Sequence, residues 1–351
     1  MSRLEERYRL LLRLLPAAYR QEWEDDMVAA FLESMDTGDP ETTAYLADHG
    51  RPSLSEAASI VALAVRLRLR ADTSPRSRVW GNAVRLATLM VLLTQAVMVT
   101  GSIAVTLWYA GKLAWLPAPA PELTLDTPTS IWSTTWNLAG YAWLPAYLAL
   151  VLGHRRVAQA VALIAIVPPA ITVAMAQAVG DVPLTVSPWV MRLVDVVVLL
   201  AMASFHHGVP PVSRRPWLLA LPVGILFVAL PLFVVQAVEP ALRLLDWPGL
   251  WCAAVTVAVA VHLTVRATRH PARILPWSLA FTLLAATTLV LRVATLPDYH
   301  GQAARTTLTT IAFVQVVAVL AVGVPLAMSA LRTLRDVPPA PAATPRPTAP
   351  Q

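Results

Sequence analysis

The residues of this sequence that could do chemistry are three charged side chains inside apolar segments. Arg192 and Asp195 stand three positions apart in one segment, and Arg292 lies toward the end of another. Residues three apart on a helix share a face, so Arg192 and Asp195 can pair locally, and Arg292 could compete for Asp195. Charges inside a membrane are costly and mark candidate functional sites. The alternative is a structural interhelical pair, with Arg192 reaching toward water.

The sequence lacks the motifs of the common enzyme classes. Its only lysine, Lys112, precedes a leucine, so there is no P-loop, and there is neither a zincin motif nor a nucleophile elbow. The single cysteine, Cys252, excludes an intramolecular disulfide and a C-x-x-C site. His206 and His207 are adjacent without a nearby carboxylate, which disfavours a metal site. The sequence therefore predicts no catalytic residue, no cofactor and no bound metal.

The segments around these charges predict a multi-pass membrane protein. Hydrophobic residues make up 57% of the 351-residue chain. The segment 157–179 has no charged residue and, as a helix, reaches roughly 34 Å, enough to cross a hydrocarbon core of about 30 Å. We predict eight spans, at about 84–109, 131–152, 157–179, 189–205, 217–238, 250–265, 274–296 and 308–331.

Basic residues alternate between the loops in a pattern that predicts the orientation. With the N-terminus inside, the outer side has only Lys112, Arg243 and Arg305. Cytoplasmic loops collect an excess of Lys and Arg, so both termini are predicted to be cytoplasmic. The inner side has Arg76, Arg78, Arg85, Arg155, Arg156, Arg214, Arg215, Arg266, Arg269, Arg273, Arg332, Arg335 and Arg346. Because these residues punctuate apolar segments, they predict topology and no direct nucleic-acid partner.

Three helices are predicted before the first span. The first has Leu4, Tyr8, Leu11, Leu12 and Leu15 at helical spacing, and the second has Tyr19, Trp23, Met27, Ala30, Phe31 and Met35. A capping box, Ser53 to Glu56, opens the third. The first helix is basic and the second acidic, so an antiparallel pair is electrostatically favourable. Trp23 is predicted to be a core residue.

The second helix also carries a group of acidic residues. The simpler interpretation is a solvated face, and the alternative is a face that docks a basic partner. The candidate partner-docking residues are Glu22, Glu24, Asp25 and Asp26.

These N-terminal residues resemble a known type of domain. Tyr8 to Met35 and Ile60 to Arg70 are similar to the cytoplasmic helical prefix domain of actinobacterial multi-pass membrane proteins, the HAAS-like or permease-prefix type. Such proteins are often associated with PadR-like transcriptional regulators. The resemblance implies a cytoplasmic location and a regulatory role, and it brings no catalytic residue.

The expected fold is all-α, a polytopic membrane helix bundle with a small N-terminal cytoplasmic three-helix domain. The predicted divisions are a prefix domain (1–72), a linker (73–82), the transmembrane bundle (83–332) and a disordered Pro/Ala-rich cytoplasmic tail (333–351).

The leading hypothesis is a regulatory or protein-interaction protein of the plasma membrane, in contact with the lipid bilayer and with a protein partner through residues 1–72. The alternative is a permease-like transport subunit for a small or lipophilic compound, with Arg192, Asp195 and Arg292 at its site.

Overall fold

Every regular element in the described part of the chain is helical, as predicted. The computed structural model describes residues 3–15, 17–35, 38–39, 42, 45, 48–50, 52–69, 75–109, 111–113, 138–180, 185–205, 213–238, 247–266, 271–299 and 305–337. Its α-helices are α1 (Arg3–Leu12), α2 (Ala17–Ser34), α3 (Leu54–Leu69), α4 (Pro75–Tyr109), α5 (Trp143–Val151), α6 (Arg155–Val179), α7 (Ser187–Ala201), α8 (Arg214–Val238), α9 (Trp247–Arg266), α10 (Pro271–Thr295) and α11 (Arg305–Arg335).

The first of two compact units ends at Gly81 and contains a small apolar core. Helices α1, α2 and α3 all contribute to it, and the Tyr8 and Phe31 rings stack with centroids 4.0 Å apart. Burial raises the pKa of the Tyr8 phenol, with a smaller contribution from the Glu56 carboxylate, so this tyrosine stays neutral at physiological pH. The buried members of the core are Leu4, Tyr8, Leu12, Leu15, Val28, Phe31, Ile60 and Ala64.

The six apolar residues predicted to lie on the buried face of α2 include two that are exposed. Trp23 is 44% exposed and packs loosely on Tyr19, and Ala30 is also exposed. Val28, which is not one of the six, is buried beside Phe31. Apolar residues lie on more than one face of this helix, so their spacing alone did not select the face that α1 and α3 cover.

Polar contacts at the ends and edges of these helices agree with the predictions. The Ser53 hydroxyl accepts from the Glu56 backbone N–H, and the Glu56 carboxylate accepts from that of Ser53, which confirms the capping box. Arg9 of α1 contacts Glu24 at 3.4 Å and Asp25 at 3.1 Å on α2. Since solvent screens exposed ion pairs strongly, these contacts orient the two helices more than they stabilise them.

The second unit, Asn82 to Pro338, is the helix bundle. By length and composition, five helices of the described residues can cross a membrane: Pro75–Trp108, Arg155–Val179, Pro248–Arg266, Ile274–Tyr299 and Arg305–Arg335. Large apolar side chains stand exposed on them, as a lipid environment requires. Examples are Leu163, Ile164, Val167, Val261, Val290, Phe313 and Val314. These are the features of a membrane protein.

Helices also lie at the three remaining predicted spans. Helix α7 has 15 residues and continues as a 3₁₀ turn through Ser204, and α8 has 25. Helix α5 corresponds to the later part of the second predicted span. The first part of that span and the Pro-rich loop before it, residues 114–137, lie outside the described residues, as does most of the predicted tail (338–351).

Two helices extend across the predicted domain boundaries. Helix α4 begins at Pro75, inside the predicted linker, because proline is well suited to the first turn of a helix. At the other end α11 continues to Arg335, three residues into the predicted tail.

Within the bundle, α9, α10 and α11 pack on one another, α5 packs on α6, and α7 lies between α6 and α10. Two of the turns that end helices require glycine. Gly111 after α4 and Gly153 after α5 have φ of +67° and +96°, and the following N–H groups donate back to Leu107 and Ala149. This is the Schellman arrangement, which favours a residue without Cβ.

Helix α8 comes close to α4 at Gly224. A Cβ added there would lie 2.7 Å from Cγ2 of Val97, a buried side chain. A larger residue at this position would therefore require the helices or the Val97 side chain to shift. By contrast, a Cβ on Gly140 would meet nothing within 4 Å.

We expect Gly224→Ala to destabilise the bundle. Overpacking costs about 1–3 kcal/mol, which exceeds the gain of up to about 1 kcal/mol in helix propensity, so the melting temperature should fall by several degrees. Thiol-reactive dye labelling of Cys252, the only cysteine and 1% exposed, reports unfolding in detergent. Val97→Ala in the same chain should restore the wild-type value, and Gly140→Ala should leave it unchanged. A Gly224→Ala protein that melts like the wild type would contradict the close approach.

Candidate functional site

The predicted polar residues lie on two helices of the bundle. Arg192 and Asp195 are on α7, whose first residues are Ser187 and Pro188, and Arg292 is near the end of α10. Helices α7 and α10 pack against each other, so residues more than ninety positions apart come to one region of the bundle. The structure thus places Arg192, Asp195 and Arg292 in a shared environment.

Asp195 is the centre of a small interhelical cluster. Its carboxylate is 1% exposed, and Oδ2 lies 3.0 Å from Nη1 of Arg192. Oδ1 accepts a hydrogen bond of 2.9 Å from the amide of Gln95 on α4. Arg192 is partly exposed, so its charge can be hydrated while it pairs with the carboxylate. The cluster joins α7 to α4.

Arg292 is a second deeply buried charged residue of this region. It is 1% exposed, and its Nη1 donates to the Tyr299 hydroxyl at 2.6 Å. The guanidinium carbon lies 5.7 Å from the centroid of the Tyr299 ring. Next to Tyr299, Asp298 accepts a hydrogen bond of 2.5 Å from Ser187 at the start of α7. The Ser187–Asp298 hydrogen bond ties the segment that follows α10 to the beginning of α7.

The two arginines line a single cavity of about 130 Å³. Four helices form its walls: α4, α7, α9 and α10. Its polar lining is Thr94, Gln95, Arg192, Thr287, Thr288, Arg292 and Thr295. Its apolar lining is Val91, Met98, Met191, Val194, Pro248, Trp251 and Leu291. A mainly apolar cavity with a few convergent polar groups is the usual form of a small-molecule site.

Other polar residues of the bundle also make interhelical contacts. Gln95 donates to Asp195, and Gln177 accepts from Trp189 at 2.7 Å. His262 is hydrogen-bonded to Ser278 at 3.0 Å. The partners of Asp195 among the described residues are Arg192 and Gln95. The expected competition from Arg292 is therefore not seen there.

Sequence reasoning missed Tyr299, Asp298 and the threonines of the cavity. Tyr299 could have been found, because it follows Arg292 by seven residues, two helical turns, and so shares its face. The contact of Asp298 with Ser187 joins residues 111 positions apart, and no local pattern indicates it.

Among the described residues, no group of three or more His, Cys, Asp or Glu side chains is placed so that it could hold a metal ion. His206 and His207 lie outside the described residues.

Comparison of the chain with protein-family models, with curated proteins and with solved structures gives no match. The resemblance of the N-terminal helices to the permease-prefix type therefore stays a prediction.

A double-mutant cycle tests the Gln95–Asp195 contact. We expect Gln95→Leu and Asp195→Leu each to lower the free energy of unfolding, and the double variant to lose less than the two changes summed. The coupling should be about 0.5–2 kcal/mol, as for hydrogen bonds between membrane helices. Detergent-induced unfolding followed by circular dichroism measures it. Thr309→Val, an exposed change on α11, should be additive with Asp195→Leu within about 0.5 kcal/mol. Additive losses in the first pair would contradict the contact.

Proposed function

We propose that this chain is an integral membrane protein that binds a small compound in the cavity between α4, α7, α9 and α10, as a permease-like protein would. The observation that carries the proposal is that two guanidinium groups, Arg192 and Arg292, line the same largely apolar cavity. Buried charged groups in a membrane bundle mark ligand or ion sites by default. If these charged residues had only a structural role, the pairing of Arg192 with Asp195 on one helix would be sufficient.

The finer architecture is part of this proposal. We propose eight crossings in the plasma membrane with both termini in the cytoplasm. The support is a helix at each of the eight predicted positions, together with the loop-by-loop alternation of thirteen basic residues against three. In this orientation the cavity is in the outer half of the bundle, because the first turns of α7 and α9 and the end of α10 meet there.

Filling the cavity tests the ligand-binding function. We expect Val194→Phe, in the cavity wall, to exclude the ligand, whereas Val197→Phe, on the same helix and 55% exposed, should not. Each protein is purified from native membranes in a mild detergent, and mass spectrometry compares the small molecules that denaturation releases. A compound released by wild type and Val197→Phe and absent from Val194→Phe supports the proposal. A wild-type protein that releases nothing above a mock purification contradicts it.

A second function is supported by the N-terminal unit. We propose that α1, α2 and α3 form a cytoplasmic protein-interaction domain, as the resemblance implies. The observation that favours it is an exposed surface on α2 that combines Glu22, Asp26 and the half-exposed Trp23. Glu24 and Asp25, the other candidate docking residues, are already engaged by Arg9. Exposed acidic residues beside an exposed tryptophan suit a basic protein partner.

Matched charge reversals test this second function. We expect Glu22→Lys with Asp26→Lys to abolish co-purification of a protein partner, because the surface changes sign. The control, Glu6→Lys with Glu33→Lys, makes the same change in net charge at other exposed positions of α1 and α2 and should retain the partner. Affinity purification with protein mass spectrometry gives the readout. Equal loss in both variants would show that only net charge matters and would remove the assignment to this surface.

A further inference from the structure

The exposed face of α1 combines large apolar side chains with basic ones. Leu10 is 53% exposed, and Leu14, about one turn later, is 41% exposed. Arg3 and Arg13 flank the two leucines and are exposed as well. We propose that this surface, the α1 basic face, binds the anionic phospholipid headgroups of the membrane, with the leucines at the boundary between headgroups and acyl chains. This binding is distinct from the two proposed functions, which involve the bundle cavity and α2.

Helical spacing brings these residues to one side of α1. Leu10 follows Arg3 by seven positions and precedes Arg13 by three and Leu14 by four, so the four side chains line up along the helix. The helical hydrogen bonds continue past Leu12, because the N–H of Arg13 donates to the carbonyl of Arg9. The core of the unit uses the other side of α1, where its members are Leu4, Tyr8 and Leu12.

The charges of the α1 basic face suit an anionic surface. At its edge lies Arg7, which keeps its charge because its acceptor, the Gly50 carbonyl at 2.6 Å, is neutral. Glu6 is an acidic residue exposed on the same face, which leaves the three arginines in excess. Helix α2 has the opposite balance, with five acidic residues and one arginine. An anionic bilayer therefore attracts α1 and repels α2, so lipid contact is favoured through one side of the unit.

The chain also ties this unit to a membrane helix. Helix α3 ends at Leu69, and α4, which is long and apolar enough to cross a membrane, begins at Pro75. Five residues reach at most about 18 Å, which keeps the unit near the membrane. Docking on a bilayer to which the chain is already attached costs little translational freedom, so a small face is sufficient. An acidic protein would match the same charges, but it would have to be recruited from solution.

Fluorescence quenching of the full chain in lipid nanodiscs tests the proposal. Leu10→Cys is labelled with an environment-sensitive dye, and Cys252, 1% exposed, should not compete for it in the folded protein. Spin-labelled phosphatidylcholine is the quencher, in discs of phosphatidylcholine alone or mixed equally with phosphatidylglycerol. We expect quenching in the mixed discs, and less at high salt, because salt screens exposed charges. The same dye on Ala29→Cys, at an exposed position of α2, should be quenched little.

Charge variants of the labelled chain provide matched comparisons. Arg3→Gln with Arg13→Gln should lower the ratio of docked to undocked protein by more than about tenfold, since each basic residue at an anionic surface is worth a factor of about five. Glu6→Lys should raise the ratio, whereas Glu33→Lys, the same change at an exposed position of α2, should leave it nearly unchanged. All four side chains are exposed, and Cys252 that stays unreactive to dye identifies the folded variants.

Three outcomes would overturn the proposal. Equal quenching with and without phosphatidylglycerol would show that lipid charge is not recognised. Equal quenching at Leu10 and Ala29 would show adsorption without the α1 basic face. Absence of quenching in both kinds of disc would exclude lipid docking and leave an acidic protein as the partner of this face. The two sides of a disc have the same composition, so none of these results depends on the proposed orientation or on the cavity.

Discussion

The constraint on which the bundle depends is that polar groups in hydrocarbon have to be paired within the protein. Helices satisfy their own backbone, and many of the hydroxyls extend the same solution by donating to a carbonyl three or four residues earlier, as Thr100 and Thr256 do. Because these backbone and hydroxyl groups are hydrogen-bonded inside each helix, the contacts between helices can be made by small residues. Ala158, Ala162 and Ala165 are completely buried on one face of α6, which lets a neighbouring helix approach closely.

Several polar groups that are not satisfied within one helix lie close together. Asp195 needs Gln95 from another helix as well as Arg192 from its own, and Asp298 takes its hydrogen bond from Ser187 across the chain. These contacts join α4, α7 and α10, whereas the aliphatic surfaces of the same helices specify no unique neighbour. These interhelical polar contacts and the cavity therefore lie in the same region of the bundle. Bulky polar side chains that are paired across helices fill space less densely than an apolar core does.

What could be predicted from the sequence follows from the range of each interaction. Helix positions, the capping box and the Arg192–Asp195 pair depend on residues within four positions, and the structure has them. The exposed position of Trp23 was missed because it depends on which face of α2 the neighbouring helices cover. The cavity was also beyond local reasoning, since its walls come from four helices spread over about two hundred residues. Arg192 and Arg292 could be named, but their common cavity could not.

The burial of Arg292 carries a desolvation cost at a site that is 1% exposed, because desolvating a charge usually costs more than its pairing returns. Tyr299 contributes a hydrogen bond and a ring face to the guanidinium, and both contacts offset part of this cost. Buried charges in membrane bundles are kept mainly at functional positions, which is why Arg292 belongs to the proposed ligand site. The N-terminal unit shows the opposite arrangement, because the buried core formed by its described residues is apolar apart from the Tyr8 hydroxyl.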